Sequence, residues 1–298
     1  MWLVVSLAGY SILVAVAILD KFILNKVVSK PAVFVFYSTI FILPLALLIP
    51  FGVGFLNGSQ GWNIAILSGI TFGFGLWVLY AGFRESEISH AGPLLGAAVA
   101  LFVVILGRFF LAEIISPREL LAIGVLILGS LIISFERSRR HNGWHRGMFL
   151  VILASGLFAV SHVSAKYIYD QYGFYSGFVW TRLPTCLVGL MLLISPKVRR
   201  EIFSKKKSPD GRGKKIFLVG TNKFLAIVGI GSLQYATAIG SVSLVNALAG
   251  VQYAILIIAV AFLSKFAPRL FKEDYGRIEI LQEIIAIIFI GIGLVLLV

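Results

Sequence analysis

A chain of 298 residues with 59% hydrophobic residues, 13% charged residues and a mean hydropathy of +0.98 is not an ordinary soluble globule, in which about a quarter of residues are charged. The net charge of +13 would point to nucleic acid if it lay on one soluble face, but the Lys and Arg residues fall in short loops between apolar runs, as membrane topology requires. The one cysteine, Cys186, sits inside an apolar run and excludes a disulfide framework or a thiolate metal cluster.

Ten segments are long and apolar enough to cross about 30 Å of hydrocarbon, near 3–24, 32–50, 62–82, 90–112, 119–135, 147–165, 177–195, 216–237, 241–263 and 281–298. Helix is expected throughout, because only helices satisfy their own backbone in lipid. Breaks fall at Pro31, the glycines of 51–61, Pro117, Pro196 and the polar tract 204–215. In the first run Ala15, Val16 and Ala17 offer a small-residue cleavage site. Positive charge follows this run instead of preceding it, the reverse of a secretory signal, so the run is expected to remain as a span.

Asp20 and Lys21 close that first run. With a span of 5–24, Asp20 lies one turn inside, facing a cavity, and Lys21 and Lys26 anchor at the surface. With a span of 2–19, both members of the pair sit at the surface. A charge at the bilayer centre costs about 2.5–3.5 kcal/mol on insertion scales, so a buried one is expected to face a cavity or a partner. In the third span Gly69 and Gly73 stand at GxxxG spacing, which favours close helix packing, and Tyr80 follows. The sixth carries His162 and Lys166 four residues apart on one face, as a proton relay or a packing hydrogen bond. Arg182 lies in the seventh beside Trp180 and Pro184; it either lines a pathway or snorkels to the interface. The eighth presents Asn222 and Lys223, with the same two alternatives for the lysine and with Asp20 within reach as its counter-charge; Tyr235 comes later in the same span. In the ninth, Ser243, Asn246, Gly250 and Tyr253 recur at three- and four-residue spacing with Gln252 beside them, a polar, small-residue face for helix packing or for a substrate.

The fourth and ninth spans align without gaps when 91–113 is laid on 243–265, with identities at Ala97/Ala249, Val99/Val251, Ile105/Ile257, Phe110/Phe262 and Leu111/Leu263. Tyr80/Tyr235, Ala81/Ala236 and Pro50/Pro196 extend the match. Two five-helix halves follow, about 1–137 and 147–298, joined by a connector at 138–146. An odd number of crossings per half makes the second enter the bilayer inverted, a transporter signature with its site expected between the halves near the midplane. The stretch 92–133, with Gly107, Glu113 and Gly124 at its landmarks, resembles the carboxyl end of an EamA-type repeat of the drug/metabolite transporter superfamily. That resemblance implies an all-α integral membrane protein of ten transmembrane helices and small-molecule transport. The second half departs from the pattern, with Lys265 in place of Glu113.

Of the 26 Lys and Arg residues, 21 lie on the side of the loop between the first two spans and 3 on the other, which places both termini outside and the middle loop in the cytoplasm. Members of the family are usually drawn with both termini inside. A Walker loop, an HExxH helix, a GxSxG turn and paired aspartates are all missing, so neither ATP drive from this chain nor an enzyme is expected, and no cofactor. The expected function is a secondary transporter in the cell membrane, moving a small polar metabolite through Asp20, Tyr80, His162, Arg182, Asn222, Lys223, Tyr235, Asn246, Gln252 and Tyr253. The cationic balance of the in-span residues favours a carboxylate or phosphate. A flippase-like carrier of a lipid-linked substrate and a membrane interaction protein without solute flux are the alternatives; the partners are a small-molecule substrate and the bilayer, with no nucleic acid. Small-residue faces serve a homodimer or internal packing equally.

Overall fold

The computed structural model describes residues 1–26, 31–86, 88–134, 145–203, 212–266 and 277–297, and every regular element among them is a helix. In chain order these are α1 (Trp2–Lys26), α2 (Pro31–Ile40), a 3-10 helix (Leu43–Phe51), α3 (Gly58–Glu85), α4 (Ile88–Phe110), α5 (Pro117–Ser134) and α6 (Arg146–Tyr172). Then come α7 (Phe174–Arg182), α8 (Thr185–Leu192), α9 (Pro196–Phe203), α10 (Arg212–Ile239), α11 (Val242–Ala247), α12 (Ala249–Phe266) and α13 (Arg277–Leu297).

Among the described residues, eight stretches are long and apolar enough to cross a membrane: 2–20, 32–51, 58–85, 90–110, 117–134, 146–172, 217–239 and 242–260. The architecture is therefore that of a helical membrane protein. Residues 174–192 meet that measure only together with 196–202, which turn away by 102°, and 281–297 form a shorter apolar helix. The turn places α9, with Lys197, Arg199 and Arg200, across the direction of the helix it follows.

Local chemistry sets the helix ends. At the start of α5 the Ser116 amide donates to Glu119 at 2.8 Å and the Glu119 amide donates back to the Ser116 hydroxyl at 3.3 Å, a capping box with Pro117 at the first helical position. Ser241 caps α11 by accepting from the Leu244 amide at 3.0 Å. Gly173, at φ +76°, turns the chain from α6 into α7 through a conformation closed to most residues.

Several predicted spans differ in detail. The second is helical only to Ile40 before it tightens into the 3-10 segment, where Pro44 and Pro50 supply no amide proton to an α-helical ladder. The seventh breaks at Leu183–Pro184 for the same reason, and the ninth at Leu248. The sixth runs on to Tyr172, beyond its expected end near residue 165, and so contains Lys166. Lys166 forms an ion pair with Asp170 at 2.8 Å and donates to the Ala238 carbonyl at 3.3 Å, tying the end of α6 to the end of α10.

The helices pack in pairs: α3 on α6, α1 on α10, α5 on α13, α2 on α8, and α4 on α5, α6, α11 and α12. Small residues allow the closest approaches. A Cβ on Gly69 would lie 2.9 Å from both the Thr181 carbonyl and the Thr185 amide, and one on Gly73 would lie 2.7 Å from Val188. The GxxxG stripe of α3 thus receives the broken α7–α8 segment, backbone against backbone. Cys186 is buried there and its thiol donates to the Thr39 carbonyl at 3.2 Å, a packing role.

Candidate functional site: a cavity with two charged poles

A cavity of about 290 Å³ opens among α1, α2, α3, α4, α6, α10, α11 and α12. Its lining along α10 runs from Lys223 to Thr237, fourteen residues apart, about 21 Å at 1.5 Å per residue. Its walls are mostly aromatic and aliphatic, with a few polar groups gathered at two poles. That is the composition of a small-molecule site.

The first pole is built by α1, α2, α3 and α10. Asp20 Oδ1 accepts from Asn222 Nδ2 at 2.6 Å and faces Lys223 Nζ at 3.6 Å. The ammonium also lies 3.7 Å from the centre of the Phe34 ring, a cation–π contact in a site where Lys223 is 4% exposed. The Tyr80 hydroxyl stands close to both Asp20 and Ser38. Asp20 lies within α1, six residues before its end, and lines the cavity, so the surface reading of the pair is wrong for this residue. The side chains of Lys21 and Lys26, expected as anchors, lie outside the described set. Snorkelling by Lys223 is also overturned, since its stem turns inward to a carboxylate and an aromatic face.

The second pole joins α6, α10 and α11. His162 Nδ1 meets Asn246 Oδ1 at 2.8 Å, and Asn246 Nδ2 donates to the Val242 carbonyl, so the amide is held on both sides. With the acceptor fixed, Nδ1 carries the proton. Gln234 and Thr237 of α10 line the same region, and the Tyr10 hydroxyl donates to the Val245 carbonyl at 2.8 Å. Gln252 and Tyr253 complete the wall from α12; the Tyr253 ring lies flat against α4, where a Cβ on Gly96 would come within 2.5 Å of it.

Seven of the ten sequence-predicted residues thus line one cavity: Asp20, Tyr80, His162, Lys223, Asn246, Gln252 and Tyr253. Asn222 lies behind Asp20 and holds it in place. Tyr235 turns away and packs edge-on to Phe174 at 5.1 Å, so the pair of matching tyrosine walls is not formed. The residues on the polar face of the ninth span find different partners. Ser243 bonds the Glu113 carboxylate, Asn246 and Tyr253 face the cavity, and Gly250 packs against Ser130 of α5. A Cβ on Gly107 would lie 2.8 Å from that Glu113 carboxylate, so these two residues of the 92–133 stretch meet in the structure. Lys265 lies outside the described side chains.

Arg182 is the exception to both expectations for it. It does not snorkel, being 2% exposed, while Trp180 turns away and donates its indole N–H to the Gly54 carbonyl. Nor does it line the cavity. Its guanidinium lies 4.4 Å from the centre of the Phe72 ring, and Phe72 is the wall. None of its Nε, Nη1 and Nη2 atoms has a hydrogen-bond partner, and neither does Thr185 Oγ1 one turn further along. Tyr169, which interacts with the charge, gives its hydroxyl proton to Gln234 Oε1 at 2.8 Å.

Sequence reasoning passed over Ser38, Gln234 and Thr237. Gln234 and Thr237 are three residues apart on α10 and so share a face, a signal present in the sequence. Phe72 carried no signal, because an aromatic in an apolar span reads as packing.

No family model matches this chain, and no curated protein matches it. Among solved structures 28 chains match. One of them, a crystal structure of a protein, superposes over 98% of this chain and 97% of its own length, with a TM-score of 0.65 at 15% identity. Likeness at that identity shows a shared fold across the whole chain and nothing finer.

Proposed function

We propose that this protein is a secondary transporter that carries a small organic anion across the cell membrane by alternating access between two inverted five-helix halves, 1–137 and 147–298. The observation that carries the reading is the cavity, which both halves line and where two buried cations, Arg182 and Lys223, lie at or just behind the wall while one carboxylate, Asp20, faces it. Buried charge that packing does not need is a mark of a substrate pathway.

The pairing of helices supports the repeat. Exchanging the halves sends α1 to α6 and α3 to α10, and the contact of α1 with α10 then becomes that of α6 with α3. The contacts of α2 with α8, α4 with α11 and α12, and α5 with α13 each map onto themselves. A pseudo-twofold axis in the membrane plane has this pattern. Ten spans result when 174–192 and 281–297 are counted with the eight longer stretches. The charge distribution then sets both termini outside, and Asp20 and Lys223 fall toward the cytoplasmic mouth. EamA-type transporters remain the family that the sequence resembles.

Uptake and efflux of carboxylated and phosphorylated metabolites in proteoliposomes test the proposal. Flux of an anion should fall about tenfold or more in Arg182→Ala and Lys223→Ala. A wild-type protein that moves no solute on a broad panel would refute transport and favour a membrane interaction protein. Movement confined to lipid-linked phosphates would mark a flippase-like carrier.

A further inference from the structure

We infer that Arg182 and Thr185 form the receptor for the anionic group of the substrate, that this group is a single carboxylate on an apolar body, and that the Phe72 ring is the shutter between receptor and cavity. The inference rests on the transport reading and names the substrate class for it.

A guanidinium removed from water with three nitrogens unpartnered is costly, and removing one side of a buried charge pair destabilises folds because it leaves this situation. Here it occurs together with an unpartnered hydroxyl at the Pro184 break, where α7 and α8 lie directly on the Gly69 backbone. These four polar atoms, on residues three apart across the break, make no hydrogen bond, and the neutral Tyr169 hydroxyl beside the guanidinium supplies no counter-charge. Guanidinium nitrogens only donate, and their planar fork matches a carboxylate in a bidentate manner.

Charge counting gives the valence. Lys223 is already balanced by Asp20, which leaves Arg182 as the uncompensated buried cation among the described residues. One negative charge neutralises the site, whereas a phosphate dianion would bury an excess charge. An α-ammonium group would add a cation with no free counter-charge, since Asp20, the one carboxylate lining the cavity among the described residues, already holds Lys223 and Asn222. The walls beside Phe72 are Leu76, Leu79, Leu95, Phe158 and Tyr253, which favour an aromatic or aliphatic body.

Phe72 is placed to control access. One face meets the guanidinium, the edge meets Phe158 at 5.3 Å, and the ring itself lines the cavity. While no anion is bound, the cation–π contact partly replaces the missing counter-charge. A carboxylate that displaces the ring gains the stronger charge-assisted pair, so closure of the receptor is coupled to occupancy.

The test is calorimetric titration of benzoate into the full-length protein in detergent, with phenyl phosphate, succinate and phenylalanine as competitors. Benzoate should bind saturably, with the other three about tenfold weaker or more. Arg182→Met should abolish binding and raise the unfolding temperature of the unliganded protein, because it removes an unpaired buried charge. Arg182→Lys should not restore affinity, and Thr185→Val should weaken it about threefold. Equal benzoate affinity in wild type and Arg182→Met, or a lower unfolding temperature in that variant, would overturn the receptor and make the guanidinium a packing group. Phenyl phosphate binding as tightly as benzoate would overturn the single-charge assignment. Solute flux in proteoliposomes with no benzoate binding refutes the receptor and leaves transport standing; saturable binding with no flux does the opposite.

Discussion

The two buried cations of this protein differ in how they are compensated. Lys223 has a carboxylate at 3.6 Å and an aromatic face at 3.7 Å, and its neighbour Asn222 fixes that carboxylate at 2.6 Å. Arg182 has an aromatic face at 4.4 Å, the Tyr169 hydroxyl beside its charge, no carboxylate, and no hydrogen bond on its three nitrogens. The first is a finished arrangement, stable without a ligand. The second is unfinished, and an interior of this kind persists where a function needs it.

The largest effect that can test this contrast is at Asp20. Replacing it with Ala leaves Lys223 unpaired and should destabilise the protein by about 3–5 kcal/mol in denaturant unfolding, with most of the loss recovered when Lys223→Met is added. A cost below about 1 kcal/mol would show that the pair is solvated and the contrast unreal. The opposite sign is expected at the other pole. Arg182→Met should stabilise the unliganded protein by about 1–4 kcal/mol in the same experiment, the gain seen when buried charge gives way to apolar volume.

Gly69→Ala sharpens the comparison from the backbone side. Its Cβ meets the Thr181 carbonyl and the Thr185 amide at 2.9 Å, and neither can move without shifting the break that carries Arg182. A loss of about 1–3 kcal/mol is expected, with anion flux reduced out of proportion to the loss of folded protein. His162→Phe removes the bond to Asn246 at 2.8 Å and should cost about 0.5–1.5 kcal/mol. The smallest effect belongs to Tyr235→Phe, whose ring stays packed on Phe174; stability should change by less than about 0.5 kcal/mol and flux should be unchanged. A flux defect there would move the pathway to the far side of α10.

Much of this was legible without coordinates. Apolar runs bounded by Pro, Gly and charge located the helices, since the bilayer permits little else. Asp20 and Lys223 were recognisable as partners because both are too costly to bury alone. The fate of Tyr235 was not legible: a repeat match at Tyr80 fixes the position along a helix, while the direction of the side chain depends on which neighbour occupies that face. Nor was the fate of Gly250 legible: the spacing puts it on one face with Ser243 and Asn246, but it packs against Ser130 of α5.

By itself the sequence determined the membrane class, the positions of the apolar helices and the identity of the charged residues that a lipid interior would not tolerate unpaired. These follow from composition and spacing, which are local properties. Only the tertiary structure decided that Lys223 is neutralised and Arg182 is not, and that Phe72 separates the latter from the cavity. Those outcomes depend on contacts across 202 residues of chain for Asp20 and Asn222, and across α3 and α7 for Phe72 and Arg182, where packing geometry selects one partner among many chemically equal candidates.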